Sequence, residues 1–180
     1  MEDDGFILTE SCAIMRYICA KKGNAGIYPC DMKKRARIDQ ALDRCGLVKY
    51  SNFYPQLFGG DKASDETVAE FESSLQKFYN FFPTTDTVSL SGLNQMVNIV
   101  KGYVVNEELT LVDLLLLQRL SIVQCAGYDL SKKFPQFVKF LELHKNDNWF
   151  KKIMIEHEKH IQTKHTSFAY LMKPPTSTEF

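Results

Sequence analysis

Apolar side chains recur along most of this chain at the spacing of an α-helix. One apolar stripe runs from Met32 to roughly Tyr54 without an internal proline, and Asp31 is placed to cap the helix that this stripe predicts. A second stripe begins after Ser64, another capping residue, and continues until Pro83. The short stretch between the stripes contains a proline and two glycines. The two helices are therefore predicted to form an antiparallel pair.

The segment from Leu109 to Leu117 carries the most complete helix-start signal in the chain. Thr110 as N-cap and Asp113 three residues later can satisfy each other's backbone donors, as in a capping box with Asp in place of Glu. Leu109 and Leu114 are spaced to pack together as a hydrophobic staple. The helix that follows is apolar on most sides, so we expect it at the centre of a bundle. A catalytic role for Asp113 is the alternative, and structural capping is favoured over it.

Further helices are predicted on either side of this central one. Ser11 is placed to cap a helix that ends before Gly23, and Gly127 is expected to end the central helix. Pro135 starts a helix that continues through about Lys145. A last helix is predicted from Trp149 to about Gln162, ahead of an extended tail.

One short strand, Phe6-Ile7-Leu8, is predicted ahead of the first helix. A strand of this length needs a neighbour to satisfy its backbone groups, and we expect nothing before it to pair with it. Unpaired, the strand would be an exposed sheet edge. We therefore expect a second copy of the chain or another protein to cover the strand and the helix after it.

Composition and charge narrow the class of protein. Lys+Arg and Asp+Glu number 22 each, so no bulk attraction to nucleic acid or to an anionic membrane is implied. No apolar run approaches the roughly 20 residues of a membrane span, which argues against membrane insertion. The acidic N-terminus lacks the apolar core of a secretion signal. Five cysteines without a C-x-x-C pair indicate a reduced, cytoplasmic chain whose cysteines serve as small apolar residues.

Several short motifs recur in an order that resembles the glutathione transferase superfamily, nearest its theta and delta classes. The resemblance covers about Gly5 to Lys145. It is carried by Leu8-Thr9-Glu10-Ser11, Ala13-Ile14, Arg16-Tyr17, Ile27-Tyr28-Pro29, Lys34-Arg35-Ala36-Arg37 and Leu109-Thr110-Leu111-Val112-Asp113-Leu114.

The resemblance implies an all-α fold, a helical bundle like the C-terminal domain of that family, preceded by a remnant strand and helix of its thioredoxin-like domain. We expect residues 1–23 to be the remnant and residues 24–30 a linker. Residues 31–165 would form the helical domain, and residues 166–180 an extended tail.

The resemblance also implies where glutathione, as a co-substrate, would bind. Glu10 and Ser11 match the pair that holds its γ-glutamyl end, where helix N–H groups suit a carboxylate and Glu10 suits the ammonium. The alternative is that Ser11 only caps its helix and Glu10 is solvated. Tyr50, Phe53 and Tyr54 fall near the family's hydrophobic electrophile pocket, although an aromatic stripe of this kind is more often core.

Other candidate groups favour structural explanations. His157, His160 and His165 lie on or past the last helix without a nearby carboxylate or thiol cluster, so we expect a solvated face and no metal site. Cys12 and Cys19 are expected to be structural thiols and not catalytic groups. The basic run Lys33–Arg37 fits an exposed face or a dimer contact better than nucleic-acid binding.

Two functions follow, in different classes. The first is a glutathione S-transferase, a cytoplasmic homodimer that conjugates glutathione to small electrophiles. The group that activates the glutathione thiol lies on or just after the family's first strand, which has no counterpart here. We therefore predict no catalytic residue, no cofactor and no activity for these 180 residues alone. The second is a non-catalytic helical scaffold or docking subunit of a larger assembly.

Overall fold

The computed structural model of the protein describes residues 1–23, 26–57, 60–81, 102–105 and 108–163, with side chains through residue 155. Two short strands precede a largely helical chain. The elements are β1 (Glu2–Asp3), β2 (Phe6–Ile7), α1 (Ser11–Lys22), α2 (Met32–Gly46), α3 (Tyr54–Leu57), α4 (Asp65–Phe81), α5 (Leu111–Cys125), α6 (Pro135–His144) and α7 (Asn148–Thr163), with 3₁₀ turns at Tyr50–Phe53 and Leu130–Lys132.

The first strands form an antiparallel hairpin, β1 with β2. Their connection is Asp4-Gly5, with φ angles of 50° and 82°. Two consecutive positive φ angles are what a type I′ hairpin turn requires, and Asp-Gly is among the dipeptides that adopt it most readily. The expectation that nothing precedes Phe6-Ile7-Leu8 to pair with it is therefore wrong. The Asp-Gly signal was present in the sequence and accounts for the hairpin.

The start of α2 agrees with the sequence, whereas its end does not. An Asp31 side-chain oxygen accepts a hydrogen bond from the Lys34 N–H at 2.8 Å, which confirms the predicted cap. The helix stops at Gly46, well before the predicted end at Tyr54.

Packing against α4 explains why the helical pattern is interrupted after α2. The Lys49 N–H leaves the helical ladder and donates to Ser74 Oγ on α4 at 3.0 Å. The 3₁₀ turn that follows buries Tyr50 and Phe53. Phe53 meets Phe71 of α4 edge to face, with 4.9 Å between ring centroids. Burying two aromatic rings against a distant helix outweighs continuation of the local helix.

The core is built around α5, which packs against α2, α6 and α7. Its predicted central position is confirmed by its buried residues, which are Leu111, Val112, Asp113, Leu115, Leu116, Leu117, Leu120, Ser121 and Val123. Gly127 lies just past its end with φ of 85°, and the Tyr128 N–H closes the last turn on the Val123 carbonyl at 3.2 Å. The predicted start of α6 at Pro135 is also confirmed. α7 starts within one residue of its predicted start.

None of the helices within the described residues has the length and apolar content that crossing a membrane requires. His165 and the tail at residues 166–180 lie outside the described residues, as do the side chains of His157 and His160.

Replacing Gly127 by alanine tests the positive φ that ends the central helix. Gly127→Ala is expected to lower the free energy of unfolding by about 1 kcal/mol, because a Cβ disfavours the left-handed region. Gly46→Ala is the matched control, since Gly46 is helical and has open space around it. The control should be neutral or stabilise by about 0.5 kcal/mol in urea unfolding. Equal destabilisation by the two substitutions would contradict this account.

Candidate functional site

The N-terminus of α1 is where the sequence places the glutathione-binding pair. Glu10 precedes the helix with φ of 66° and ψ of 117°, a backbone conformation that non-glycine residues rarely adopt. Ser11 is the first helical residue, and no side-chain cap hydrogen bond is formed at this end. The expectation that Ser11 is the N-cap is therefore wrong by one residue. The Glu10 carbonyl instead accepts the first helical hydrogen bond, from the Ile14 N–H at 2.9 Å.

This helix end is open to a ligand. Glu10 and Ser11 are both exposed. The first N–H groups of a helix have no partner within the helix, and the helix dipole is positive at that end. An anion such as a carboxylate can therefore bind here, beside the carboxylate of Glu10, which suits a cation.

An ion pair fixes α1 on the helical core. Arg16 on α1 donates through Nε to Asp39 Oδ1 at 2.6 Å and through an Nη to Asp43 Oδ1 at 3.0 Å, both on α2. Tyr28 of the linker donates to the same Asp39 oxygen at 2.9 Å. Burial alone lowers the pKa of Arg16, but the two carboxylates outweigh it and the net pKa is raised. Charge therefore contributes to the position of α1 relative to α2, together with the packing of Met15 and Cys19 of α1 in the core.

The hairpin is attached to α1 from the other side. The Asp3 carboxylate accepts hydrogen bonds from the Lys21 ammonium and from the Tyr17 hydroxyl, the latter at 2.7 Å. Lys21 contributes most to lowering the pKa of Asp3, and Tyr17 adds to the effect. Phe6 of β2 also packs on the Tyr17 ring, with 5.4 Å between centroids.

The aromatic residues expected near an electrophile pocket lie mainly in the core. Tyr50 and Phe53 are buried, and Tyr54 is half-buried. The Tyr50 hydroxyl faces the sulfur of Cys45 at 3.8 Å, and burial raises the pKa of that thiol to about 12. Phe53 packs against Tyr128 with 5.5 Å between centroids. These positions match the core alternative, and a role in substrate binding stays a prediction.

Two other cysteines lie on α1. Cys19 is buried, and burial raises the pKa of its thiol, whereas Cys12 is half-buried. Because a reactive cysteine needs a stabilised thiolate, the environment of Cys19 fits a structural thiol. Within the described part of the chain, no group of three or more His, Cys, Asp or Glu side chains is arranged to hold a metal ion.

The buried carboxylate of Asp113 joins three parts of the chain at the start of α5. Its Oδ2 accepts from the Thr110 N–H at 2.7 Å and from the Thr110 hydroxyl at 2.8 Å. Its Oδ1 accepts from the Val104 N–H at 2.6 Å. The next free donor of the helix, the Leu111 N–H, donates to the Ile27 carbonyl of the linker at 3.0 Å. Burial raises the pKa of Asp113 to about 6, although these hydrogen bonds act in the opposite direction.

Sequence reasoning missed His144, the last residue of α6. The ring is buried, with Nδ1 at 2.8 Å from Asp147 Oδ2 and Nε2 at 2.6 Å from the Gly102 carbonyl oxygen. A signal for it was available, because His144 continues the apolar stripe of Phe140 and Leu141 at helical spacing. A histidine on such a stripe is expected to be buried with polar partners.

Asp113→Ala tests how much the buried junction contributes to stability. The substitution leaves the Val104 and Thr110 N–H groups buried without their acceptor, at about 1–3 kcal/mol for each donor. We expect the free energy of unfolding at pH 7 to fall by about 3 kcal/mol. Asp31→Ala removes an exposed cap from α2 and should lower it by only about 1 kcal/mol. Equal losses for the two variants in denaturant titrations would show that the buried contacts add nothing.

The comparison with known proteins agrees with the resemblance found in the sequence. No family model matches the sequence. Among solved structures, a delta-class glutathione transferase of Nilaparvata lugens shares 26% identity at a TM-score of 0.67, over 91% of this chain and 72% of its own. A glutathione transferase of Bombyx mori in complex with GTT shares 26% identity at a TM-score of 0.66, over 89% of this chain and 70% of its own.

A diazinon-metabolizing glutathione S-transferase of the silkworm, Bombyx mori, shares 24% identity at a TM-score of 0.66, over 89% of this chain and 72% of its own. All three likenesses extend over nearly all of the chain. The two likenesses at 26% identity confirm the resemblance to the glutathione S-transferase superfamily that was found in the sequence. The likeness at 24% identity supports the same fold.

Proposed function

We propose that this chain binds glutathione at the start of α1, with Glu10 and Ser11 holding its γ-glutamyl end. Conjugation of glutathione to small electrophiles, the activity of the family, requires in addition a thiol-activating group that these two residues do not supply. The observation that carries the proposal is the open start of α1, where Glu10 adopts a positive φ of 66° and no side chain caps the helix. One structural neighbour, from the silkworm, is a diazinon-metabolizing transferase, which supports a small organic molecule as the second substrate.

The two ends of an amino acid match this helix start. The γ-glutamyl carboxylate would accept hydrogen bonds from the first N–H groups of α1 and from the Ser11 hydroxyl, at the positive end of the helix dipole. The carboxylate of Glu10 would pair with the γ-glutamyl ammonium. Strained backbone such as that of Glu10 is often concentrated at ligand sites, where it holds a group ready for binding.

Activation of the glutathione thiol requires a donor that stabilises the thiolate. Three tyrosine hydroxyls in the described part of the chain instead donate to carboxylates, Tyr17 to Asp3, Tyr28 to Asp39 and Tyr128 to Glu72. Their carboxylate partners raise the pKa of all three hydroxyls, with burial as the larger cause at Tyr28 and Tyr128. We therefore propose that these 180 residues bind part of glutathione without ionising its thiol.

A second candidate function is a helical docking subunit. It is favoured by apolar side chains left uncovered on β2, where Phe6 is 50% and Ile7 is 74% exposed. A second copy of the chain or another protein could cover this surface, in keeping with the cytoplasmic homodimer or larger assembly expected from the resemblance. The two candidates differ in whether the start of α1 binds glutathione.

Titration with glutathione separates these possibilities. We expect weak binding, with a Kd of about 1 mM or above, detected as NMR shifts of the amides at residues 11–14. Glu10→Gln should abolish the shifts, whereas Glu66→Gln, an exposed residue in the first turn of α4, should not. Conjugation of glutathione to a chromogenic aryl halide should proceed at the uncatalysed rate.

Four results would count against the proposal. A micromolar Kd by calorimetry or catalysed conjugation would show that the chain carries a complete site. Shifts that are absent, or that survive Glu10→Gln, would remove the assignment to the start of α1 and favour the docking function.

A further inference from the structure

The corner between α6 and α7 holds a buried histidine whose two ring nitrogens each face a hydrogen-bond acceptor. His144 Nε2 lies 2.6 Å from the Gly102 carbonyl oxygen, and Nδ1 lies 2.8 Å from the carboxylate oxygen Oδ2 of Asp147. A carbonyl oxygen and a carboxylate can only accept. A neutral imidazole has one N–H and one lone pair, so it can satisfy only one of these partners. Both contacts are hydrogen bonds only if the ring carries two protons and a positive charge.

A helix end and two carboxylates near the ring favour this charge, whereas burial of the ring opposes it. His144 is the last residue of α6, where the negative end of the helix dipole stabilises a cation. Asp147 faces it from the α6–α7 connection, and the buried Asp113 of α5 lies close enough to interact with it electrostatically. Tyr103 is the titratable group that faces it from residues 102–105, with 5.8 Å between ring centroids.

The second partner, Asp147, is also placed to cap α7. It is the residue immediately before α7, and its carbonyl accepts the first helical hydrogen bond, from the Lys151 N–H at 2.9 Å. This is the N-cap position, where an aspartate side chain ordinarily accepts from the N–H groups of the first turn. Its Oδ2 is instead bonded to His144. The side chain is 41% exposed, so it can rotate away from the histidine into solvent.

We propose that His144 and Asp147 form a pH-dependent switch at the start of α7. When His144 is charged, it holds Gly102 and Asp147 together and keeps the Asp147 carboxylate off the helix. As pH rises and the ring loses the proton on Nδ1, the remaining Nε2–H stays on the buried Gly102 carbonyl. The Nδ1 lone pair then repels the carboxylate, and Asp147 turns to cap α7.

This switch joins two segments that are far apart in sequence. Gly102 belongs to residues 102–105, which Asp113 also holds through the Val104 N–H. Trp149, in the first turn of α7, packs on His144 with 5.9 Å between ring centroids. The histidine therefore contacts both segments, and the conformation at the start of α7 should change with its charge.

The tryptophan gives a direct readout, because Trp149 is the only tryptophan in the chain. A histidinium beside an indole quenches its fluorescence. Emission of the full chain is expected to rise in a single transition as the pH is raised and His144 loses a proton. His144→Gln should remove the transition. Asp147→Asn, which keeps the size of the side chain but removes its charge, should move the transition down by about one pH unit.

Ring nitrogen NMR supplies a second measurement in case a variant does not fold. Below the fluorescence transition, both ring nitrogens of His144 in the wild-type chain should show the shifts of protonated nitrogen. Above the transition, the Asn148 to Lys151 amides should gain protection from exchange as Asp147 caps the helix. A ring that is neutral below the transition, or a fluorescence transition that persists in His144→Gln, would overturn the proposal. So would an unchanged transition in Asp147→Asn.

Discussion

The buried carboxylate of Asp113 is the interaction on which the arrangement of the described chain most depends. It accepts three hydrogen bonds, one from Val104 and two from Thr110, where the chain enters its central helix. Burying a charge without such hydrogen-bond partners would cost far more free energy than a single local contact contributes. Because Leu111 is bonded to the Ile27 carbonyl, the linker is attached at the same point. The Asp113 side chain thus joins α5 to residues 102–105, and the adjacent Leu111 N–H joins the start of α5 to the segment between α1 and α2.

The sequence is sufficient to predict those features that are determined by residues close together in the chain. The caps at Asp31 and Ser64 need only a side-chain oxygen and a nearby N–H, and both are formed. The hairpin turn can likewise be predicted from the Asp4-Gly5 dipeptide. The end of α2 cannot be predicted from neighbouring residues, because it is determined by contact with α4, where Ser74 lies 25 positions after Lys49. His144 was overlooked for a related reason, since its partner Gly102 is 42 residues away.

The candidate site was located by resemblance, but its geometry depends on features that sequence does not reveal. Nothing in the residue type of Glu10 predicts its positive φ of 66°. The orientation of α1 follows from Arg16, whose carboxylate partners lie on α2. Since α2 packs on α5, the open start of α1 is held in place through the same core that Asp113 organises.

Native-state hydrogen exchange tests this central role of Asp113 most directly. If the junction is integral to the core, the Val104 and Thr110 amides should exchange only through global unfolding, with the same protection free energy as the amide of Leu117 in the middle of α5. The two amides should also lose protection at the same denaturant concentration as Leu117. Exchange of Val104 and Thr110 through local opening, well below the global free energy, would contradict the account.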